Sequence, residues 1–232
     1  MTTKRSKTAR VPLTTEALEH LMRHKPRELD RMRLTEEETA RLREINRTRE
    51  QEIAERVARM RLEQESLLRE LHAVGMKIEY VVDLIGMSQR YEQAIPILLK
   101  HLVMPYSDAT RETIARSLAV REPEVQKAWP ILVEEYRKAP MGWGIKGPGD
   151  INEYRLGAKN GLACALAVAV TDETLEELID IAKDRTQGES RLLLLSALKK
   201  RRKKNPLAAQ AIEELASDPD LAKEIASWRK RR

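Results

Sequence analysis

Ala94-Ile-Pro-Ile-Leu98, Ala128-Trp-Pro-Ile-Leu132, Thr174-Leu-Glu-Glu-Leu178 and Ala211-Ile-Glu-Glu-Leu215 are four versions of one pattern. Each runs small residue, apolar residue, two variable positions, Leu. They recur at intervals of 34, 46 and 37 residues, the range in which helical pairs repeat. A second element follows each of the first three: Arg111 precedes Leu118 by seven residues, as Lys159 precedes Leu166 and Arg191 precedes Leu198. From first element to basic residue the separations are 17, 31 and 17. The second repeat therefore carries an insertion of about fourteen residues. Composition places it independently, because Met141-Gly-Trp-Gly-Ile-Lys-Gly-Pro-Gly149 is the only Gly-rich stretch. The two counts agree on units of helix, turn and second helix that stack.

Composition and punctuation fit helices. Aromatic residues are 3% of the chain and Phe is absent, so Leu, Ile, Val and Ala must fill the core. Leu and Ala, with abundant Glu, Lys and Arg, lose little rotamer freedom in a helix. Glu122-Pro123, Asn205-Pro206 and Asp218-Pro219 put Pro where a first helical turn tolerates it, with Asn and Asp as caps.

Upstream, residues 1–34 read as a basic, partly disordered stretch (disorder over 1–12) with one short helix from Thr14 or Thr15 to His24, stopped by Pro26. Thr35-Glu-Glu-Glu38 is a capping box. From there to Val74 no Pro or Gly intervenes, and Gly75 supplies a stop, so 35–75 reads as one long helix. Four Glu-to-Arg pairs at i,i+4 decorate it (37–41, 52–56, 55–59 and 65–69), so its surface is mixed in sign. Ile53, Val57, Met60, Gln64, Leu67, Leu71 and Val74 form a heptad seam with one polar insertion. Residues 53–74 therefore either make a homodimer or pack back onto the helices that follow.

The Ile-Pro-Ile-Leu-Leu first helix and the Asp108-x-x-Arg111 opening of the second resemble HEAT-like repeats. Ala94–Leu102, Gly188-Glu-Ser-Arg-Leu-Leu-Leu-Leu195 and Asp218–Ile225 are similar to a group of small bacterial HEAT-repeat proteins. The resemblance covers about residues 76–228. It implies an all-α fold, an α-solenoid of about four helix pairs over 76–232 with an insertion near 140–155, preceded by the long N-terminal helix. It implies partner binding along a curved surface, and no particular reaction.

Three sets of residues are candidates for that binding. Arg111, Lys159 and Arg191 recur at one position and read as a basic ladder facing a partner. The resemblance offers a structural alternative, an Arg that bonds an acid near the turn, with Asp108 and Glu189 available. The insertion carries Trp143, Lys146 and Tyr154, residue types suited to recognition on a loop. Lys199, Lys200, Arg201, Arg202, Lys203 and Lys204 are six consecutive cations. They equal the net charge of +6, so the remainder of the chain is formally neutral and its basicity is local.

These features point to a non-enzymatic protein-binding adaptor or scaffold whose partner is another protein. The alternative is a nucleic-acid-binding HEAT-like protein that cradles DNA, in the manner of some glycosylases, through the Lys199–Lys204 run. Nothing local assembles a catalytic, cofactor or metal site: His20 and His24 share a helical face without a Glu or Cys to complete a set. The lone Cys164 reads as a small buried apolar residue. The longest apolar run, Leu162–Val170, is too short to span a bilayer, and no apolar segment follows the basic N-terminus. A cytoplasmic location is expected.

Overall fold

The computed structural model describes residues 10–141 and 157–228. Every regular element among these residues is helical. They form two compact units, divided inside one helix between Arg59 and Met60.

In the first unit, α1 (Thr15–His24) starts with the Ala17 N–H donating to Thr14 Oγ1 at 3.2 Å. After α2 (Pro26–Leu29), α3 (Glu36–Glu63) opens with the capping box formed. The Glu38 N–H donates to Thr35 Oγ1 at 3.2 Å, and the Thr35 N–H donates to Glu38 Oε2 at 2.8 Å. Glu38 does more than cap. It is fully buried, accepts the Leu13 N–H at 2.8 Å, and takes Arg10 Nη2 on both oxygens. Backbone donation from Thr35 and Leu13, then Arg10, pulls its carboxyl down to about 2. The expected disorder of residues 1–12 falls mostly on 1–9, outside the described residues.

The long helix is not continuous to Val74. α3 ends at Glu63 and α4 (Glu65–Ala73) follows, with Gln64 between them at φ −84, ψ −1. The reason is polar. Glu63 accepts from the Ser107 N–H and from the Ser107 and Thr110 hydroxyls, while the buried Gln64 amide donates to Thr110 and accepts from the Val81 N–H. The seam is divided in use as well. Leu67 and Leu71 are fully buried in the core of the second unit, so this stretch packs onto the helices that follow. Ile53 and Val57 stay more than a third exposed. Gly75 ends α4 at φ +87, where the Met76 N–H closes back onto Leu71 O at 3.0 Å.

The second unit continues with α5 (Ile95–Leu102), α6 (Asp108–Ser117), α7 (Pro123–Lys127), α8 (Trp129–Lys138), α9 (Ala158–Ala169), α10 (Leu175–Lys183), α11 (Arg191–Arg201), α12 (Pro206–Leu215) and α13 (Ala222–Ser227). The helices that the spacing pairs do pack together: α5 on α6, α8 on α9, α10 on α11. Successive second helices also touch, α6 on α9 and α9 on α11, and α11 packs on α12. Leu98, Leu132 and Leu178 are fully buried, each contributing about 1.5–3 kcal/mol of apolar burial.

α9 is central. All its residues except Cys164 and Val168 are buried. Its small side chains allow the close approach to α6: a Cβ on Gly161 would lie 2.7 Å from Glu112 O.

The fourth segment departs from the pattern. Ala94, Ala128 and Thr174 sit immediately before their helices, whereas Ala211 lies inside α12 and Leu215 ends it. Asn205 sets that earlier start by accepting the Leu207 and Ala208 N–H groups. Asp218-Pro219 makes a turn, with the Asp220 N–H on Asp218 Oδ1, and α13 begins only at Ala222.

Candidate partner-binding surface

Arg111, Lys159 and Arg191 occupy matching places in the fold. Each donates to the carbonyl end of the preceding first helix. Arg111 Nε reaches Leu102 O at 3.4 Å, and Arg191 Nη1 reaches Ala182 O at 3.1 Å, each nine residues back. Lys159 Nζ reaches Tyr136 O at 2.9 Å, a separation of 23 that is nine once the fourteen-residue insertion is removed, and also Ala139 O at 3.0 Å. Carbonyls at a helix end lack intrahelical donors, and a cation satisfies them and the local dipole together.

Two of the three also reach forward to an acid. Arg111 Nη2 pairs with Glu135 at 2.6 Å. Arg191 takes Asp218 at 2.9 Å and Asp220 at 3.0 Å. These acids are not the expected ones: Asp108 instead accepts the Ala158 N–H at the start of α9, and no bond joins Glu189 to Arg191 among the described residues. Lys159 and Arg191 are buried, and Arg111 is nearly so. Their donors point into the chain, toward the ends of helices.

A second feature lies beside the second helices. Beside α6 and α9 lies a groove of about 420 Å³. Residues 84–91, with Ile85 and Met87, line it together with Val120 and Cys164. Arg90 and Arg116 stand at its margin, the latter held by Glu112 at 2.8 Å and donating to Cys164 Sγ at 3.8 Å. Burial pushes the Cys164 thiol up, so at neutral pH it is a protonated, weakly polar surface and not a thiolate. The groove can take an apolar side chain against its wall and an acidic neighbour at its rim.

At the end of α11 the six cations separate into kinds. Arg201 turns inward, donating to Val170 O at 2.5 Å. Lys199 Nζ stands 4.6 Å from the Trp228 ring and the Arg202 guanidinium 5.9 Å from it. Lys200, Lys203 and Lys204 are exposed. Trp143, Lys146 and Tyr154 lie outside the described residues. The His20 and His24 rings lie 4.6 Å apart on α1, tilted at 38°, with no third ligand beside them among the described residues.

No family model, curated protein or solved structure matches this chain. No helix among the described residues is long and apolar enough to cross a membrane. The groove at 84–91 is the feature that the sequence did not disclose, since it joins a loop without periodicity to Arg116 of α6 and Cys164 of α9, both distant from it in sequence. Ile85-Gly86-Met87, two large apolar residues about a glycine, was the one available signal.

Proposed function

We propose that this chain is a non-enzymatic protein-binding adaptor, built on a short HEAT-like solenoid of about four helix pairs. The observation that carries the reading is the recurrent tie. A basic residue at one position in three successive units clamps the end of its own first helix, and in two of them it holds the next unit. Such clamping favours a rigid row of second helices, and a rigid surface binds without a large ordering cost. The partner seat lies beside that row, in the groove lined by Ile85, Met87 and Val120, while the ladder serves as scaffold. Loop residues Trp143, Lys146 and Tyr154 are further contacts in this reading.

A tagged full chain is used to capture partners from lysate of its source at near-physiological salt, with nuclease present. The adaptor reading expects a stoichiometric protein that survives nuclease and is lost from an I85D variant, at a residue 42% exposed, with an unchanged melting temperature. Recovery of nucleic acid alone, abolished by nuclease, sinks it in favour of the DNA-cradling reading. That second reading draws on the exposed Lys200, Lys203 and Lys204.

A further inference from the structure

We propose that the end of α11 is a docking point for a short acidic protein segment carrying an apolar side chain. The proposal rests on the adaptor reading and names the chemistry of the partner. Charge is the first observation. Through most of the second unit, cations are neutralised by neighbours: Lys183 by Glu214 at 2.6 Å, Arg185 by Asp218 at 3.2 Å, Arg116 by Glu112 at 2.8 Å. Lys199, Lys200, Arg202, Lys203 and Lys204 have no carboxylate partner among the described residues, and they fall within one six-residue stretch. Crowding five like charges costs free energy unless something outside supplies the counter-charge.

The patch is also held in shape. Trp228 donates through Nε1 to Glu224 at 2.7 Å, which fixes its ring, and the ring in turn positions Lys199 and Arg202. Arg201, bonded to Val170 O, anchors the middle of the run to the end of α9. Lys200, Lys203 and Lys204 therefore project from a fixed base. Leu207, three residues beyond Lys204 in the first turn of α12, is 41% exposed, an apolar side chain close to the lysines in sequence.

A protein segment fits this better than a nucleic-acid backbone. Duplex DNA presents one charge about every 1.7 Å and calls for an extended basic track. Among the described residues, the adjoining α12 and α13 carry Glu213, Glu214 and Glu224, and Asp220 lies between them, so acids border the basic run on that side. A few acidic residues with one apolar side chain match its charge and its size.

The test uses the full chain and three fluorescein-labelled probes: a twenty-residue peptide of alternating Glu-rich and Leu-containing segments, a single-stranded oligonucleotide, and a duplex of matched length. Binding is followed by anisotropy across a salt series. The expected result is saturable peptide binding that K200E/K203E/K204E weakens about tenfold or more, since three ion pairs become three repulsions. R121E/K127E, two exposed cations elsewhere, should leave it unchanged. Peptide binding that the triple variant does not weaken, or no peptide binding at all, overturns the proposal, and tighter binding of either oligonucleotide overturns it in favour of nucleic acid. Capture separates this from the broader reading. If the triple variant still captures the wild-type partner in full, the docking point falls while the adaptor reading stands.

Discussion

Arg191 and Lys159 do one job with different success. Arg191, fully buried, spreads its guanidinium over Gly188 O, Ala182 O, Asp218 and Asp220, so it joins the last two helix pairs through charge-assisted bonds. Lys159 has one nitrogen. It satisfies two carbonyls and sits 4.7 Å over the Tyr136 ring, but it bonds no carboxylate among the described residues. Asp184 faces it through space and is occupied with Thr186 and Gln187. The junction after the second pair is closed by other means, a bond between Tyr136 OH and Ser190 Oγ at 2.7 Å and Trp129 donating to Glu177 at 2.7 Å. A planar fork can cap a helix and reach a neighbour at once, whereas a point charge does only the first.

The comparison breaks most visibly at Arg191. Arg191→Met should cost about 3–5 kcal/mol, because it removes a fully buried charge-assisted tie, leaves the Ala182 and Gly188 carbonyls without their donor, and leaves Asp218 only the exposed Arg185 as cation. Urea unfolding followed by circular dichroism reads the loss directly; a cost below that of Lys159→Met would reverse the ranking of the two ties. The same pair has a pH signature. Hydrogen bonding from Arg191, then the other donors, lowers the Asp218 carboxyl from an ordinary 3.8 to about 2. A lowered carboxyl stabilises the fold fully above its unfolded pKa, and that contribution is lost as pH falls from there through about 2. Melting temperature should therefore drop less steeply over this window in Asp218→Asn than in the parent chain. Equal slopes would detach the tie from acid stability.

The junction between the first two pairs sharpens the contrast, because it depends on proximity as well as charge. Gly161→Ala places a methyl 2.7 Å from Glu112 O and 3.0 Å from Ala115 Cβ, neither of which is the end of a flexible side chain. Forcing α6 and α9 apart should cost about 1–3 kcal/mol. A neutral result in the same urea experiment would mean that α6 and α9 can move apart at no cost, and that polar ties such as Arg111 to Glu135 and Asp108 to the Ala158 N–H hold this junction.

Much of this was legible in the sequence, and for a reason. Helix starts are local, so Thr14, Thr35 and Asn205 announced their caps. The recurrence of Arg111, Lys159 and Arg191 in sequence is matched by the recurrence of their bonds to first-helix carbonyls. What escaped was non-local. Glu38 read as a cap because its other donors, Leu13 and Arg10, lie 25 and 28 residues away. Gln64 read as a polar slip in a seam because Thr110 and Val81, which interrupt the helix there, belong to other elements. The expected acids Asp108 and Glu189 were near in sequence, yet Glu135, Asp218 and Asp220 take the arginines from the next unit. On the candidate surface only the basic run was visible in advance; the groove needs α6 and α9 already in place.

The smallest predicted effect restores the missing half of the weaker tie. Burial lowers the Lys159 pKa, so the fold disfavours its charged form, and stability should rise with pH between the folded and unfolded values. An arginine at the same position stays charged and carries donors enough for Tyr136 O, Ala139 O and Asp184 together. Lys159→Arg should therefore raise stability by about 0.5–1 kcal/mol and abolish that alkaline gain. A matching rise in hydrogen-exchange protection should appear in α10, which begins the next pair. If Lys159→Arg instead lowers stability, Asp184 is more valuable to the turn through Thr186 and Gln187 than to the tie. The lysine would then be the side chain that lets both bonds coexist.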